Sequence, residues 1–157
     1  MKITISIMNL RDYTWKYYDI ESKVELNVAI ENFLNEKDHD FEIQLIESEY
    51  VGLNDDNINE FLELKEQFPE VNAQEILYLI NVLGVDEAEQ TLNEEEFYAI
   101  IHEDNKIEAF REYIIEYNML YIPDNLESYI DWQSILRDWE CGGTTVKRVD
   151  NGVYLIK

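Results

Sequence analysis

Apolar and polar residues alternate near the start of the chain. Isoleucine takes every second position in residues 3–7, and residues 42–47 repeat the alternation, as half-buried strands do. Residues 15–20 form another strand-like run, whereas the apolar residues of 24–34 recur at a spacing that suits a helix. The pattern predicts a small ββαβ module over about the first 50 residues.

The middle of the chain is predicted to be helical. Asn54 or Asp55 can cap a helix that ends before Pro69. A second helix is predicted over residues 72–83, capped by its first residue, and a short third piece surrounds residues 86–90.

The last third of the chain mixes both patterns. Residues 97–101 fit either a strand or a helix, Asp104 can cap a longer helix, and Asp131 can cap another. Asn151 and Gly152 separate two strand-like runs, which strongly predicts a hairpin turn. The whole chain is therefore predicted to be α+β, with three small modules: an N-terminal α+β module (1–52), an acidic helical module (53–103) and a C-terminal α+β module (104–157).

Charge adds a functional constraint. The chain has 35 acidic and 12 basic residues, giving a formal net charge of −23. Residues 38–131 hold 26 acidic residues against three basic ones, whereas the rest has nine of each. Such a field repels nucleic acid and anionic membranes and favours basic protein surfaces or cations. Halophilic adaptation gives a similar composition.

Within this acidic block, carboxylates recur every three or four positions over residues 56–70 and every four over 108–116. On helices such side chains share one face, whereas an ordinary solvated face mixes signs. Rows of carboxylates can imitate phosphates, and 23 charges correspond to about 40 Å of DNA duplex. The predicted DNA-mimic surface comprises Asp55, Asp56, Glu60, Glu63, Glu66, Glu70, Glu75, Asp86, Glu87, Glu89, Glu94, Glu95, Glu96, Glu103, Asp104, Glu108, Glu112, Glu116, Glu127 and Asp131.

A metal site is a weaker alternative. Asp55, Asn57 and Asn59 alternate, and Glu66 falls where a calcium loop places its bidentate glutamate. However, Glu60 takes the position that requires glycine, and the stretch has a helical pattern, so a capping turn is favoured.

Catalytic chemistry has little support. His39 and His102 each stand alone in an acidic stretch, and Cys141 is the single cysteine, which allows no disulfide framework and no cysteine-based zinc site. A Gly-rich phosphate loop and a nucleophile elbow are both missing from the sequence. We therefore expect a non-enzyme without a cofactor. Without a signal-peptide pattern or a long apolar segment, we expect it in the cytoplasm.

The segment 122–138, IPDNLESYIDWQSILRD, resembles the C-terminal signature of the ArdA antirestriction family. In that family a P-x-x-L-x-x-Y-I-D-aromatic stretch leads into an Arg-Asp pair. The early strand, the acidic middle and the terminal hairpin also follow in the expected order. The resemblance assigns the antirestriction motif and possible dimer contacts to Leu126, Tyr129, Ile130, Asp131, Trp132, Ile135, Arg137, Asp138 and Trp139.

The resemblance implies an elongated protomer of modules in a row, forming a homodimer through its C-terminal module. Such proteins are encoded on phages, plasmids and other mobile elements. They imitate B-form DNA and inhibit type I restriction-modification enzymes by occupying the basic DNA groove of the methyltransferase core.

This sequence departs from familiar members of the family at Trp132, Ile135 and Trp139. The departure leaves two alternatives open. One is an acidic, anti-CRISPR-like binder of another DNA-binding defence protein. The other is a generic interaction module whose binding energy resides in an aromatic hot spot such as Trp132 or Trp139.

Overall fold

A computed structural model of the chain describes residues 2–36 and 40–157. The chain forms two compact units, Met1–Glu89 and Gln90–Lys157. The described residues form helices and two three-stranded antiparallel sheets, which confirms the predicted α+β class. The predicted boundary near residue 52 lies within the first unit and that near residue 103 within the second, and the threefold division stays a prediction.

The first unit begins with a sheet of three strands, β1 (Ile3–Asn9), β2 (Trp15–Ile20) and β3 (Phe41–Ser48), which lie in the order β2-β1-β3. Ile3, Ile5 and Ile7 point to one face and are fully buried, as their alternation predicts. The helix that follows β2, α1 (Lys23–Glu36), buries Leu26 and Phe33.

Two helices complete the core of the first unit, and a third spans the division between the units. The first two bury large apolar side chains such as Phe61 and Leu77. The predicted cap of the second helix is confirmed, because Asn72 accepts a hydrogen bond from the N–H of Gln74 at 2.9 Å. The helices are α2 (Ile58–Gln67), α3 (Ala73–Leu83) and α4 (Val85–Asn93).

The predicted cap of α2 is wrong. Asn57 stands at the N-cap position, and its side chain makes no capping hydrogen bond. The side chain of Asn54 instead closes the preceding turn by accepting from the N–H of Asp56 at 2.9 Å, and Asp55 accepts from the N–H of Leu45. Both candidate caps are therefore engaged before the helix begins.

The second unit has a sheet of three strands, β4 (Ala99–Ile101), β5 (Val146–Asp150) and β6 (Val153–Ile156), which lie in the order β4-β6-β5. The last strand therefore lies in the middle, and all four of its residues are buried. Residues 97–101, whose pattern fitted either a strand or a helix, contain the short strand β4. The core around this sheet includes Phe110, Ile114 and Leu136. The other elements are α5 (Lys106–Glu116), a 3-10 turn (Glu127–Tyr129) and α6 (Trp132–Cys141).

Turn and cap chemistry in the second unit largely follows the sequence. Gly152 has a φ of +65° in the predicted hairpin turn. Asp131 caps α6 as predicted, but the cap of α5 is Asn105 and not Asp104, because α5 begins one residue later than predicted. The Asn105 side chain accepts from the N–H of Ile107 at 2.8 Å.

Candidate functional site

The first predicted row of carboxylates lies only partly on α2. Glu60, Glu63 and Glu66 belong to the helix, whereas Asp56 and Glu70 lie in the turns before and after it. The single helical face predicted over residues 56–70 is therefore wrong in extent, because α2 is only 10 residues long.

Two carboxylates of this region also hold backbone groups. Asp55 accepts from the N–H of Leu45, and Glu66 accepts from the N–H of Lys23 at 2.7 Å. Both side chains remain exposed. A carboxylate has about four lone-pair sites, so each of these two can still face a partner.

The second predicted row is complete. Glu108, Glu112 and Glu116 all lie on α5, and all three are exposed. Their four-residue spacing places them on one face, about 6 Å apart along the helix axis. Arg111 lies beside this row and donates from Nη1 to the Oε2 atom of Glu108 at 2.9 Å. This exposed ion pair offsets the negative charge of the row only in part.

Crowding of like charges is visible at Glu112. A hydrogen bond with the side chain of Glu103 raises the pKa of Glu112, and partial desolvation and the charges of Glu103 and Glu116 act in the same direction. Arg111 opposes the effect. Glu112 therefore takes up a proton more readily than an isolated glutamate does as the pH falls.

None of the twenty acidic residues of the predicted DNA-mimic surface is buried as a whole, although the Oε2 atom of Glu60 is covered. Exposure is the first condition for contact with a partner. The fourteen exposed ones are Asp55, Asp56, Glu63, Glu66, Glu70, Asp86, Glu87, Glu94, Glu95, Asp104, Glu108, Glu112, Glu116 and Asp131. The six half-buried ones are Glu60, Glu75, Glu89, Glu96, Glu103 and Glu127.

The segment with the family resemblance runs through the 3-10 turn and α6. Asp131 accepts from the N–H and the hydroxyl of Ser134 at 3.1 and 2.7 Å, and these hydrogen bonds lower the pKa of Asp131. Glu127 accepts from Arg111. Both acidic residues thus stabilise local structure while remaining at least partly accessible.

The apolar residues of this segment fall into two groups. Trp132, Ile135 and Trp139 are half-buried and pack against the core of the second unit. Trp139 meets Phe110 edge to face, with ring centroids 5.5 Å apart. Trp132 and Trp139, on which the aromatic hot-spot hypothesis was based, therefore have a role in packing.

The second group is open to solvent. Tyr129 is 84% exposed and Leu126 is also exposed, as are Arg137 and Asp138. Ile130 is half-buried. Of the residues assigned to the motif, these exposed ones are the best placed to touch a partner.

Sequence reasoning missed two exposed aromatic residues in the first unit. Trp15 and Tyr17 occupy alternate positions of β2 and therefore lie on the same face of the sheet. Their exposed fractions are 60% and 59%. The alternation was visible in the sequence, but a strand's own pattern does not tell which of its faces the rest of the protein covers.

The calcium-loop alternative finds no support in the geometry. Asn57 donates to the carbonyl of Gly52 at 3.0 Å, and Glu60 lies on α2. Among the described residues, no group of three or more His, Cys, Asp or Glu is placed to hold a metal ion. His102 is exposed, whereas Asp38 and His39 lie outside the described residues.

In residues 2–36 and 40–157, no helix is long and apolar enough to cross a membrane. The chain matches no model of a known protein family, and a search of curated proteins finds no similar sequence. The surface of the chain carries many accessible carboxylates on small α+β units, and these are the features that bear on its function.

Proposed function

We propose that this chain is a DNA-mimicking antirestriction protein of the ArdA type. It inhibits type I restriction-modification enzymes in the bacterial cytoplasm by occupying the basic DNA groove of their methyltransferase core. The observation that carries the proposal is the accessibility of the carboxylates behind the −23 charge, with the α5 row as their most regular part. The resemblance of residues 122–138 to the family motif supports the choice of target.

The spacing of the charges in the α5 row is comparable in size with the spacing of phosphates in DNA, which supports mimicry. The row presents one carboxylate per roughly 6 Å of helix axis, against one phosphate per roughly 3.4 Å of axis in each DNA strand. One row therefore supplies about half the linear charge density of a strand, so carboxylates elsewhere on the surface must contribute the rest.

The proposed mechanism is competitive occupancy and involves no bond making or breaking. Each exposed carboxylate paired with a basic side chain contributes only about 0.2–1 kcal/mol, so the binding energy is distributed over many contacts. Salt screens such contacts, and the affinity should therefore fall as ionic strength rises.

The test is inhibition of DNA cleavage by a purified type I restriction-modification enzyme, with labelled duplex DNA as the competing ligand. One double variant carries Glu112→Gln and Glu116→Gln on the α5 row. The matched control carries Glu21→Gln and Glu31→Gln, which removes the same charge outside the acidic block. The first pair should weaken inhibition by roughly 0.4–2 kcal/mol, whereas the second should change it little. Equal effects of both pairs, or an affinity that does not change with salt, would contradict the proposal.

A second candidate is an acidic binder of another DNA-binding defence protein, or an interaction module with an aromatic hot spot. The observation that favours it is the strong exposure of Tyr121 and Tyr129 in the second unit, at 92% and 84%. Pull-down from a bacterial lysate separates the candidates, because the identity of the captured protein distinguishes a type I enzyme from another DNA-binding protein and two treatments distinguish a DNA groove from a tyrosine contact. A DNA-groove binder is displaced by added duplex DNA, whereas a partner held through tyrosines is lost in the Tyr121→Ala and Tyr129→Ala variants.

A further inference from the structure

The sheet of the first unit has one face away from its buried isoleucines, and this face is open. In the strand register, Met8 lies between Trp15 and Glu42, and Ser6 lies between Tyr17 and Gln44. These side chains share a face because they occupy alternate positions of paired strands. The open sheet face is defined here as Ser6, Met8, Trp15, Tyr17, Glu42 and Gln44.

The open sheet face is concave and aromatic on one side. A hollow of about 270 Å³ has Trp15 and Tyr17 on one side, and its other lining residues are Ser6, Met8, Gln44 and Ile46. Both rings are more than half exposed, whereas Ser6 is only 4% exposed and lies at the floor. Large aromatic side chains that converge on a hollow are typical of an interaction site.

The side chains that line the hollow are all uncharged, so a charge for recognition must come from beside it. The exposed carboxylate of Glu42 stands on β3, two strands away from the rings on β2. Neighbouring strands lie about 4.8 Å apart, so roughly 10 Å separates the aromatic side from the acidic side. A guanidinium that stacks on an aromatic ring keeps its N–H groups in a plane parallel to the ring, so it can donate hydrogen bonds to a carboxylate that lies beside the ring.

Arginine fits this arrangement better than lysine does. Its guanidinium is planar, is less strongly hydrated than an ammonium group, and stacks on aromatic faces. The net charge of −23 also draws cationic segments toward the protein. We propose that the open sheet face binds an arginine side chain presented by a partner protein. This contact goes beyond the proposed imitation of phosphates, since it selects one type of side chain by shape and does not depend on the target enzyme.

The experiment uses the full chain and two short peptides, Gly-Arg-Gly-Arg-Gly and Gly-Lys-Gly-Lys-Gly, both capped at their ends. Nuclear magnetic resonance titration at low salt follows the indole signal of Trp15 in the wild type and the backbone amide signals of residues 3–9 in every variant, and gives the affinity for each peptide. The arginine peptide should bind several-fold more tightly. The double variant Trp15→Ala with Tyr17→Ala should weaken its binding by about tenfold, and Glu42→Gln should weaken it severalfold.

Matched controls are Tyr121→Ala with Tyr129→Ala for the aromatic pair, and Glu31→Gln for the carboxylate. Both should leave peptide binding unchanged, and circular dichroism checks the fold of every variant. Equal affinity for the two peptides, or equal affinity of the folded Trp15 and Tyr17 double variant, would overturn the proposal. Self-association that disappears in that double variant would also overturn it, because the occupant would then be a second copy. These measurements need no restriction enzyme, so their failure is distinguishable from failure of the proposed function.

Discussion

Arg111 and Glu127 form a two-point ion pair in which Nε and Nη2 of Arg111 both donate to the same oxygen of Glu127, at 2.8 and 2.5 Å. The pair joins α5 to the 3-10 turn that lies 16 residues further along the chain. Glu127 and Glu108 together raise the pKa of Arg111. The ion pair thus connects the 3-10 turn, which lies within residues 122–138, to α5, the helix that carries the second carboxylate row.

Loss of the Arg111–Glu127 ion pair should make residues 126–130 less ordered. Arg111→Ala is expected to speed hydrogen exchange at residues 126–130 and to lower the free energy of unfolding by about 1 kcal/mol, because exposed charged pairs contribute little more than that. The matched control is Arg137→Ala, since Arg137 approaches the neighbouring Asp138 only at 3.9 Å and both are strongly exposed. Unchanged exchange in the Arg111 variant would mean that the turn is held by its own backbone.

The Glu103–Glu112 pair gives a pH dependence with a definite sign. Because the pKa of Glu112 is raised above its ordinary value of 4.5, the folded state binds this proton more tightly than the unfolded chain does. Its contribution therefore makes the free energy of unfolding rise as the pH falls from neutral toward 4.5. The lowered pKa values of Asp19, Glu96 and Asp131 act oppositely, and the stability they provide is lost as the pH falls below about 4.

Glu112→Gln isolates the first effect. It should raise the free energy of unfolding at pH 7 by about 0.2–0.5 kcal/mol, the usual cost of a like-charge pair at the four-residue spacing that Glu112 has with Glu108 and Glu116 on α5. It should also flatten the change between pH 7 and pH 5. Urea unfolding at a series of pH values measures both quantities, with Glu31→Gln as the charge-matched control. A Glu112 variant with the same pH slope as the wild type would show that the pair is not crowded in solution.

Substitution of Trp139 distinguishes a role in packing from a role in partner binding. Its contact with Phe110 predicts that Trp139→Ala lowers the free energy of unfolding by roughly 2–4 kcal/mol, whereas Tyr129→Ala should change it by no more than about 0.5 kcal/mol. Chemical denaturation gives both values. If Trp139→Ala leaves the free energy of unfolding unchanged and abolishes partner binding, Trp139 acts as a binding hot spot and not as a packing residue.

Self-association is predicted to use the exposed tyrosines of the second unit. Light scattering of the wild type should give the mass of a homodimer, and Tyr121→Ser with Tyr129→Ser should shift the population toward monomer. The comparison variant is Trp15→Ala with Tyr17→Ala, which removes two aromatic rings from the first unit. A wild type that is monomeric at working concentration would rule out the dimer.

Several elements could be predicted because their signals are local. The Asn151-Gly152 turn fixes the hairpin, and the caps of α3 and α6 were found correctly from Asn72 and Asp131. The cap of α5 was misplaced by one residue because Asp104 and Asn105 are both good caps, and only the start of the helix decides between them.

Other features depend on contacts that no local pattern contains. The apolar residues of 24–34 predict α1 correctly, yet Val24 and Val28 are exposed while Leu26, Ala29 and Phe33 are buried. The buried set follows the helical spacing, but alanine gives a weak signal. The accessibility of Trp15 is likewise decided by which face of the sheet the rest of the first unit covers.

The central position of β6 has a consequence for the order of events on the ribosome. The sheet of the first unit needs only residues 3–48, so it can assemble while later codons are still being read. In the second unit, both β4 and β5 pair with β6 and not with each other. β4 therefore cannot take its place in this sheet until residues 153–156 have left the exit tunnel. A nascent chain stalled before Val153 would contain every strand of the first sheet but lack the central strand of the second.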